Sequence, residues 1–319
     1  MVKYAFLFTG QGAQYAEMGK DLYNKYDVFK KIFDETSEHL KINLINICSD
    51  SLELAKTNNA QPAIFAMSYG IYKLLEEHNI TPNCAAGFSL GEITSLAASE
   101  ILTLKDTLDL IKIRGEAMQA ACEHTPGLMY SIIGAEDELV QETCARVTDI
   151  NIGYVIPANY NCPGQIVISG ETAGVEEAVK IFAEKKIRTV KLNVAGAFHS
   201  YLMKYKENDL IEFLKTLKFN PPKFDLYSNL TGEKFDFHRK SIKSYMIDYI
   251  PKQMSNPVRF RTELENMSAE GCGLFVEIGA GKALSGFVKR TCPGAEFINI
   301  QDCETFEKAV EMFHVKQSV

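Results

Sequence analysis

Residues 84–92 read Cys84-Ala85-Ala86-Gly87-Phe88-Ser89-Leu90-Gly91-Glu92. A short apolar run enters Gly-x-Ser-x-Gly, and Ile93, Leu96 and Ala97 then fall on one helical face. Thr81-Pro82-Asn83 ends the preceding element, so a strand is predicted over 84–88. Gly-x-Ser-x-Gly alone also fits an ordinary glycine-flanked turn. Strand, turn and helix in succession are the context that makes it a nucleophile elbow. There the serine stands at the tip of a strained turn and the glycines let backbone approach backbone. The helix N-terminus directs N–H groups at whatever forms above it. This reading makes Ser89 the nucleophile of an acyl-handling enzyme.

Outward from the elbow, residues 3–8 read as a buried strand ending in the glycine-rich loop Thr9-Gly10-Gln11-Gly12. Amphipathic helices are predicted near 24–40 and 61–78, and another over 104–121 with Thr103 and Asp106 as a capping-box-like start. Residues 127–192 change character. Strand 128–133, helix 136–147, strands 154–158 and 165–169, helix 171–184 and strand 187–192 make β-α-β-β-α-β, the ferredoxin-like pattern. The expected organisation is a small domain, 127–192, inserted into a larger α/β domain formed by 1–126 and 193–319. Helices near 201–218, 239–254, 259–270 and 304–315 alternate with strands near 224–228, 273–278 and 296–300 in the remainder.

Composition narrows the function. The chain has 319 residues, 46% of them hydrophobic, enough for a sizeable core. A net charge of −7 argues against nucleic acid as a partner. No apolar run reaches membrane-spanning length, and the N-terminus is too short for a signal sequence, so no membrane is expected and a cytoplasmic location is. The eight cysteines are scattered without Cys-x-x-Cys and are expected to be reduced. No metal is expected, because no histidine pair has ligand spacing. Ile278-Gly279-Ala280-Gly281-Lys282-Ala283 lacks the spacing and the Ser/Thr of a P-loop, so nucleotide binding is rejected and no cofactor is expected.

A serine hydroxyl needs a general base. His199, in Val194-Ala195-Gly196-Ala197-Phe198-His199-Ser200, sits in a small-residue loop between a strand and a helix, where catalytic side chains are commonly displayed. The other five histidines lie among polar neighbours, at helix ends or in a linker. No carboxylate stands out as a third member, and a backbone carbonyl can orient the imidazole instead. Arg114 sits on an apolar stripe of helix 104–121 with no acid three or four residues away. Spacing alone leaves three readings: an ion pair with another segment, snorkelling to the surface, or bidentate recognition of a substrate carboxylate. Gln11 follows the first strand, where ligand sites of α/β sheets cluster, and its N–H is a candidate to pair with that of Leu90 as an oxyanion hole.

These residues resemble the malonyl-CoA:acyl-carrier-protein transacylases of bacterial fatty-acid synthesis and the related acyltransferase domains of polyketide synthases. The resemblance runs nearly end to end. It rests on Phe8-Thr9-Gly10-Gln11-Gly12-Ala13-Gln14, Gln61-Pro62-Ala63, Gly87-Phe88-Ser89-Leu90-Gly91-Glu92 and Arg114-Gly115-Glu116. Asn161-Cys162-Pro163-Gly164-Gln165, Gly196-Ala197-Phe198-His199-Ser200, Asn256-Pro257-Val258 and Glu277-Ile278-Gly279 follow in order. The resemblance implies an α/β-hydrolase-like large domain with a ferredoxin-like insert. It implies Ser89 as the acylated nucleophile and His199 as base and acid, oriented by the backbone carbonyl of Gln253. Gln11 and Leu90 would supply the oxyanion N–H groups, and Arg114 would hold the malonyl carboxylate. Phe198, beside the histidine, would crowd an α-methyl group and favour malonyl. The implied partners are malonyl-CoA and an acyl carrier protein, and a monomer is expected.

Three positions depart from the pattern: Phe88 stands for the usual His, Thr9 for Pro, and Ala280 for Pro. Two rivals remain. One is an acyl-carrier-protein hydrolase, which needs no carboxylate clamp. The other is a non-catalytic carrier-docking module, which needs neither Ser89 nor His199. A trans-acting polyketide acyltransferase is the alternative, since the sequence leaves open whether the carrier belongs to fatty-acid or polyketide synthesis. Docking of an acidic carrier on an acidic chain calls for a local basic patch. Lys185, Lys186 and Arg188, and Lys282, Lys289 and Arg290, are the two candidate clusters.

Overall fold

In the computed structural model, which describes residues 3–238 and 240–317, five strands form an all-parallel sheet. They are β1 (Lys3–Phe8), β2 (Cys84–Gly87), β7 (Asp225–Leu226), β8 (Cys272–Ile278) and β9 (Glu296–Ile300), in the order β7-β2-β1-β8-β9. Helices cover both faces, so the central strands read as unbroken apolar runs such as Ala5-Phe6-Leu7-Phe8. Alternate residues still divide: Phe6 and Phe8 pack into one cluster, Ala5 and Leu7 into another with Phe260 and Phe275. The pairing Phe8↔Gly87 ends β1 and β2 side by side. The loops that follow, bearing Gln11 and Ser89, therefore emerge together at the C-terminal edge of the sheet.

The second sheet contains β3 (Gly127–Ile133), β4 (Val155–Cys162), β5 (Gln165–Glu171) and β6 (Arg188–Lys191), antiparallel in the order β4-β5-β3-β6. With helices Asp137–Asp149 and Thr172–Glu184 this is the ferredoxin-like arrangement. Its faces alternate by residue. Ile132, Ile166 and Ile168 pack under the two helices, whereas Ser131, Gln165 and Val167 face the large sheet across a cleft. The fold is α/β-hydrolase-like with a ferredoxin-like insert. The Asn256-Pro257-Val258 segment joins the two parts: Tyr160 N donates to Val258 O at 2.8 Å and Val258 N to Ala158 O at 2.8 Å. An Arg261–Asp137 ion pair spans the same seam.

Several predicted elements differ in extent. The helix expected at 24–40 breaks at Tyr26 (φ −121°, ψ 115°) into Lys20–Lys25 and Asp27–Leu40. The one expected at 61–78 starts at Thr57 and carries Pro62 inside. The segment expected at 201–218 opens as a 3-10 turn, Tyr201–Lys206, before helix Glu207–Thr216. Residue 239, the expected start of helix Ile242–Ser255, lies outside the described residues, as do residues 1, 2, 318 and 319.

Candidate active site

Ser89 has φ 54° and ψ −101°, and helix Leu90–Ala98 starts directly after it. That conformation costs an L-residue on the order of 1–3 kcal/mol and persists only when its surroundings impose it. The glycines are sterically required. A Cβ on Gly87 would lie 1.9 Å from Gly91 C, one on Gly91 2.0 Å from Phe8 O, and one on Gly10 2.1 Å from Phe88 O. The N–H groups of Gln11 and Leu90 have no hydrogen-bond partner among the described residues, leaving both donors unspent. The Ser89 N–H is not free, since it donates to Asn229 Oδ1 at 3.0 Å.

His199 Nε2 lies 2.7 Å from Ser89 Oγ, and Nδ1 lies 3.0 Å from the backbone oxygen of Gln253. Only an N–H can face that carbonyl, so Nδ1 carries the proton and Nε2 accepts from the serine. Burial, helped by the nearby Arg114 charge, pulls the His199 pKa down to about 4. The imidazole is therefore neutral at pH 7 and able to take a proton.

Arg114 is 1% exposed on helix Leu104–His124. Nη1 donates to Gln61 Oε1 at 3.1 Å, while Nη2 donates to Ser89 Oγ and to Gln253 Oε1, both at 3.2 Å. Nε has no partner. All three acceptors are neutral and no carboxylate lies within ion-pair distance among the described residues. Ion pairing and snorkelling are thereby excluded. Burial lowers the Arg114 pKa to about 10, with the Glu92 charge opposing. A buried cation without a counterion is costly unless an anion arrives from outside. Gln61 also donates to Gln11 Oε1 at 3.4 Å, so a polar chain runs from the Gln11 loop through Arg114 to Ser89.

A cleft of about 550 Å³ opens between the sheets, lined by Gln11, Phe88 and Phe287 below and by Ser131, Asn159 and Asn161 above. Ser131 Oγ, Asn159 Nδ2 and Asn161 Oδ1 are buried without partners, an unusual concentration of unmet donors and acceptors in one cavity. Phe88 packs edge-on against Phe260 with centroids 5.4 Å apart. The Glu277 carboxyl accepts Leu284 N at 2.9 Å and Ser285 N at 2.8 Å. The helix start that faintly resembled a P-loop is thus occupied by the chain's own acid. Among the described residues no His, Cys, Asp or Glu cluster fits a metal ion, and no helix is long and apolar enough to cross a membrane.

Ser89, His199, Arg114, Gln253, Gln11 and Leu90 therefore meet at one place. Phe198 is adjacent in sequence, but its ring is buried in the main core and its carbonyl accepts from Ser169 Oγ at 2.8 Å. The basic clusters flank opposite edges of the small sheet. Lys185, Lys186 and Arg188 sit by β6, whereas the helix bearing Lys289 and Arg290 packs near β4, and Arg290 Nη1 donates at 3.1 Å to Gln165 Oε1 at the start of β5. Sequence reasoning gave no role to Gln61, to Asn229 or to the side chain of Gln253. Asn229 stands in an ordinary polar turn, Ser228-Asn229-Leu230-Thr231-Gly232, with no motif to mark it.

The acyl transferase domain family matches residues 5–307. A malonyl CoA-acyl carrier protein transacylase of Bacillus subtilis (strain 168) is 38% identical over 314 residues, covering 98% of this chain and 97% of that protein. The crystal structure of a malonyl CoA-acyl carrier protein transacylase from Clostridium perfringens aligns with TM-score 0.92 at 34% identity, over 99% of this chain and 98% of the other. A malonyl-transacylase solved with a type II PKS acyl-carrier protein aligns with TM-score 0.91 at 30% identity, over 97% and 99%. The similarity takes in both sheets and the cleft between them, and the chain belongs to the acyl transferase domain family, with the malonyl CoA-acyl carrier protein transacylases.

Proposed function

We propose that the chain transfers a malonyl group from malonyl-CoA to the phosphopantetheine thiol of an acyl carrier protein through an ester on Ser89. The observation that carries this reading is Arg114: a buried guanidinium with only neutral partners, its Nη2 3.2 Å from the nucleophile. It would hold the malonyl carboxylate while the thioester carbonyl lies at Ser89 Oγ. His199 Nε2 takes the Oγ proton as Oγ attacks that carbonyl. The N–H groups of Gln11 and Leu90 receive the oxyanion. The C–S bond breaks and the CoA thiolate leaves with the proton from His199. The carrier thiol then enters, gives its proton to His199 and attacks the ester, and Ser89 Oγ recovers the proton as it departs. The unpartnered atoms of Ser131, Asn159 and Asn161 suit the amides of a pantetheine arm.

Fatty-acid synthesis is the pathway we favour. The relative solved with a polyketide carrier keeps the alternative of a trans-acting polyketide acyltransferase. A monomer in the cytoplasm, and a division into 1–126 with 193–319 and 127–192, belong to the same proposal. The test is intact-mass measurement with malonyl-CoA. Wild type should gain one malonyl mass, Ser89→Ala none, and the adduct should persist in water until a carrier thiol is added. An adduct on Ser89→Ala would remove the elbow reading. Rapid loss of the adduct to water would favour the hydrolase.

A further inference from the structure

Beneath the elbow lies a sealed polar layer that the reaction steps leave unused. Asn229 is fully buried, and its side chain spends its whole hydrogen-bonding capacity. Oδ1 accepts from Ser89 N at 3.0 Å and from Gln253 Nε2 at 3.2 Å. Nδ2 donates to Gly87 O at 2.8 Å and to Glu263 Oε1 at 2.8 Å. The amide orientation is fixed, because Ser89 N–H can only donate and Gly87 C=O can only accept. The Asn229 backbone N donates to Glu92 Oε1 at 2.7 Å, which also accepts from Tyr249 OH at 2.6 Å. Glu92 and Glu263 are both 0% exposed, a costly placement for two carboxyls, and each accepts a hydrogen bond from Asn229.

Asn229 therefore grips the chain on both sides of the strained residue. It ties the carbonyl two residues before and the N–H of Ser89 itself, whose φ of 54° needs outside support. Through Gln253 the same amide touches the segment that orients His199. Gln253 Nε2 also donates to Ser89 O at 2.8 Å, and its backbone oxygen meets His199 Nδ1 at 3.0 Å.

We infer that Asn229, braced by Glu92 and Glu263, is a positioning residue that sets the Ser89 Oγ–His199 geometry from behind the nucleophile. The inference rests on the reading of Ser89 as the acylated residue. It is tested by single-turnover acylation with malonyl-CoA, followed by intact mass. The amplitude counts folded enzyme, while the rate constant reports geometry. Asn229→Ala should lower the rate constant about tenfold to a hundredfold, with half-saturation by malonyl-CoA held within about twofold. Asn229→Asp keeps the shape and is expected to slow acylation as well. Glu263→Gln keeps an acceptor for Asn229 Nδ2 and should retain the wild-type rate constant. Reduced amplitude at a wild-type rate constant in either Asn229 variant would overturn the inference and leave a merely structural asparagine. Absence of the Ser89 adduct in wild type would instead remove the underlying reading, and this inference with it.

Discussion

Replacing Arg114 by alanine should separate malonyl from acetyl transfer. The guanidinium is 1% exposed, its Nε is unpartnered, and its three acceptors are the neutral oxygens of Gln61, Ser89 and Gln253. In Arg114→Ala a malonyl carboxylate would enter a buried site with no cation. Leaving one partner of a buried charge pair alone costs about 3–5 kcal/mol, or roughly a 10²–10⁴-fold loss. Acetyl-CoA has no carboxylate to strand. Its loss is confined to the unmet oxygens of Gln61 and Gln253, which water can satisfy in the space vacated, so about tenfold or less is expected. The assay is the rate of Ser89 acylation by each thioester in wild type and variant, read by intact mass. The malonyl-to-acetyl ratio should fall at least tenfold. Equal losses for both would show that Arg114 serves the nucleophile or the fold and not the substrate carboxylate. Stability adds a second reading. A buried, unpaired cation destabilises the empty enzyme, so Arg114→Met should melt no lower than wild type even as it loses malonyl transfer.

The pH dependence follows from His199. Its folded pKa is lowered to about 4 by burial and the Arg114 charge, and only the neutral ring can accept the serine proton. With acetyl-CoA, which carries no titrating carboxylate, kcat/KM should stay level from neutral pH and fall through about pH 4; a midpoint at the ordinary histidine value would contradict the buried, neutral base. Phe198→Ala should raise acylation by methylmalonyl-CoA relative to malonyl-CoA, and cost about 3–5 kcal/mol of stability as its ring leaves the core. An unchanged ratio, with the melting temperature lowered, would assign Phe198 to packing alone. Joint reversal of Lys186 and Lys289 to Glu should raise the carrier-protein KM about tenfold and leave acylation untouched. Because the two clusters flank opposite edges of the small sheet, each single reversal then shows which edge the carrier meets.

The elbow was legible because its information is local. Gly87, Ser89 and Gly91 lie within five residues, and the steric demand at each glycine comes from backbone a few residues or one neighbouring strand away. The same holds for the alternation of Gln165, Ile166, Val167 and Ile168, which assigns two faces to β5 before any partner is known. Element ends were less legible. Nothing in Lys25-Tyr26-Asp27 marks the extended residue that breaks the helix, because packing decides where the second helix must turn.

Arg114 marks the limit more sharply. Its sequence neighbours excluded a local ion pair and left its partner open. That partner depended on Gln61, 53 residues before it, and Gln253, 139 residues after it. Asn229 reaches Ser89 across 140 residues, and no motif marks the Asn229 end of the bond. Short-range sterics and periodicity are written in the order of residues. Which polar atoms meet inside the core depends on how the helices and both sheets close over the elbow, and only the tertiary structure decided that.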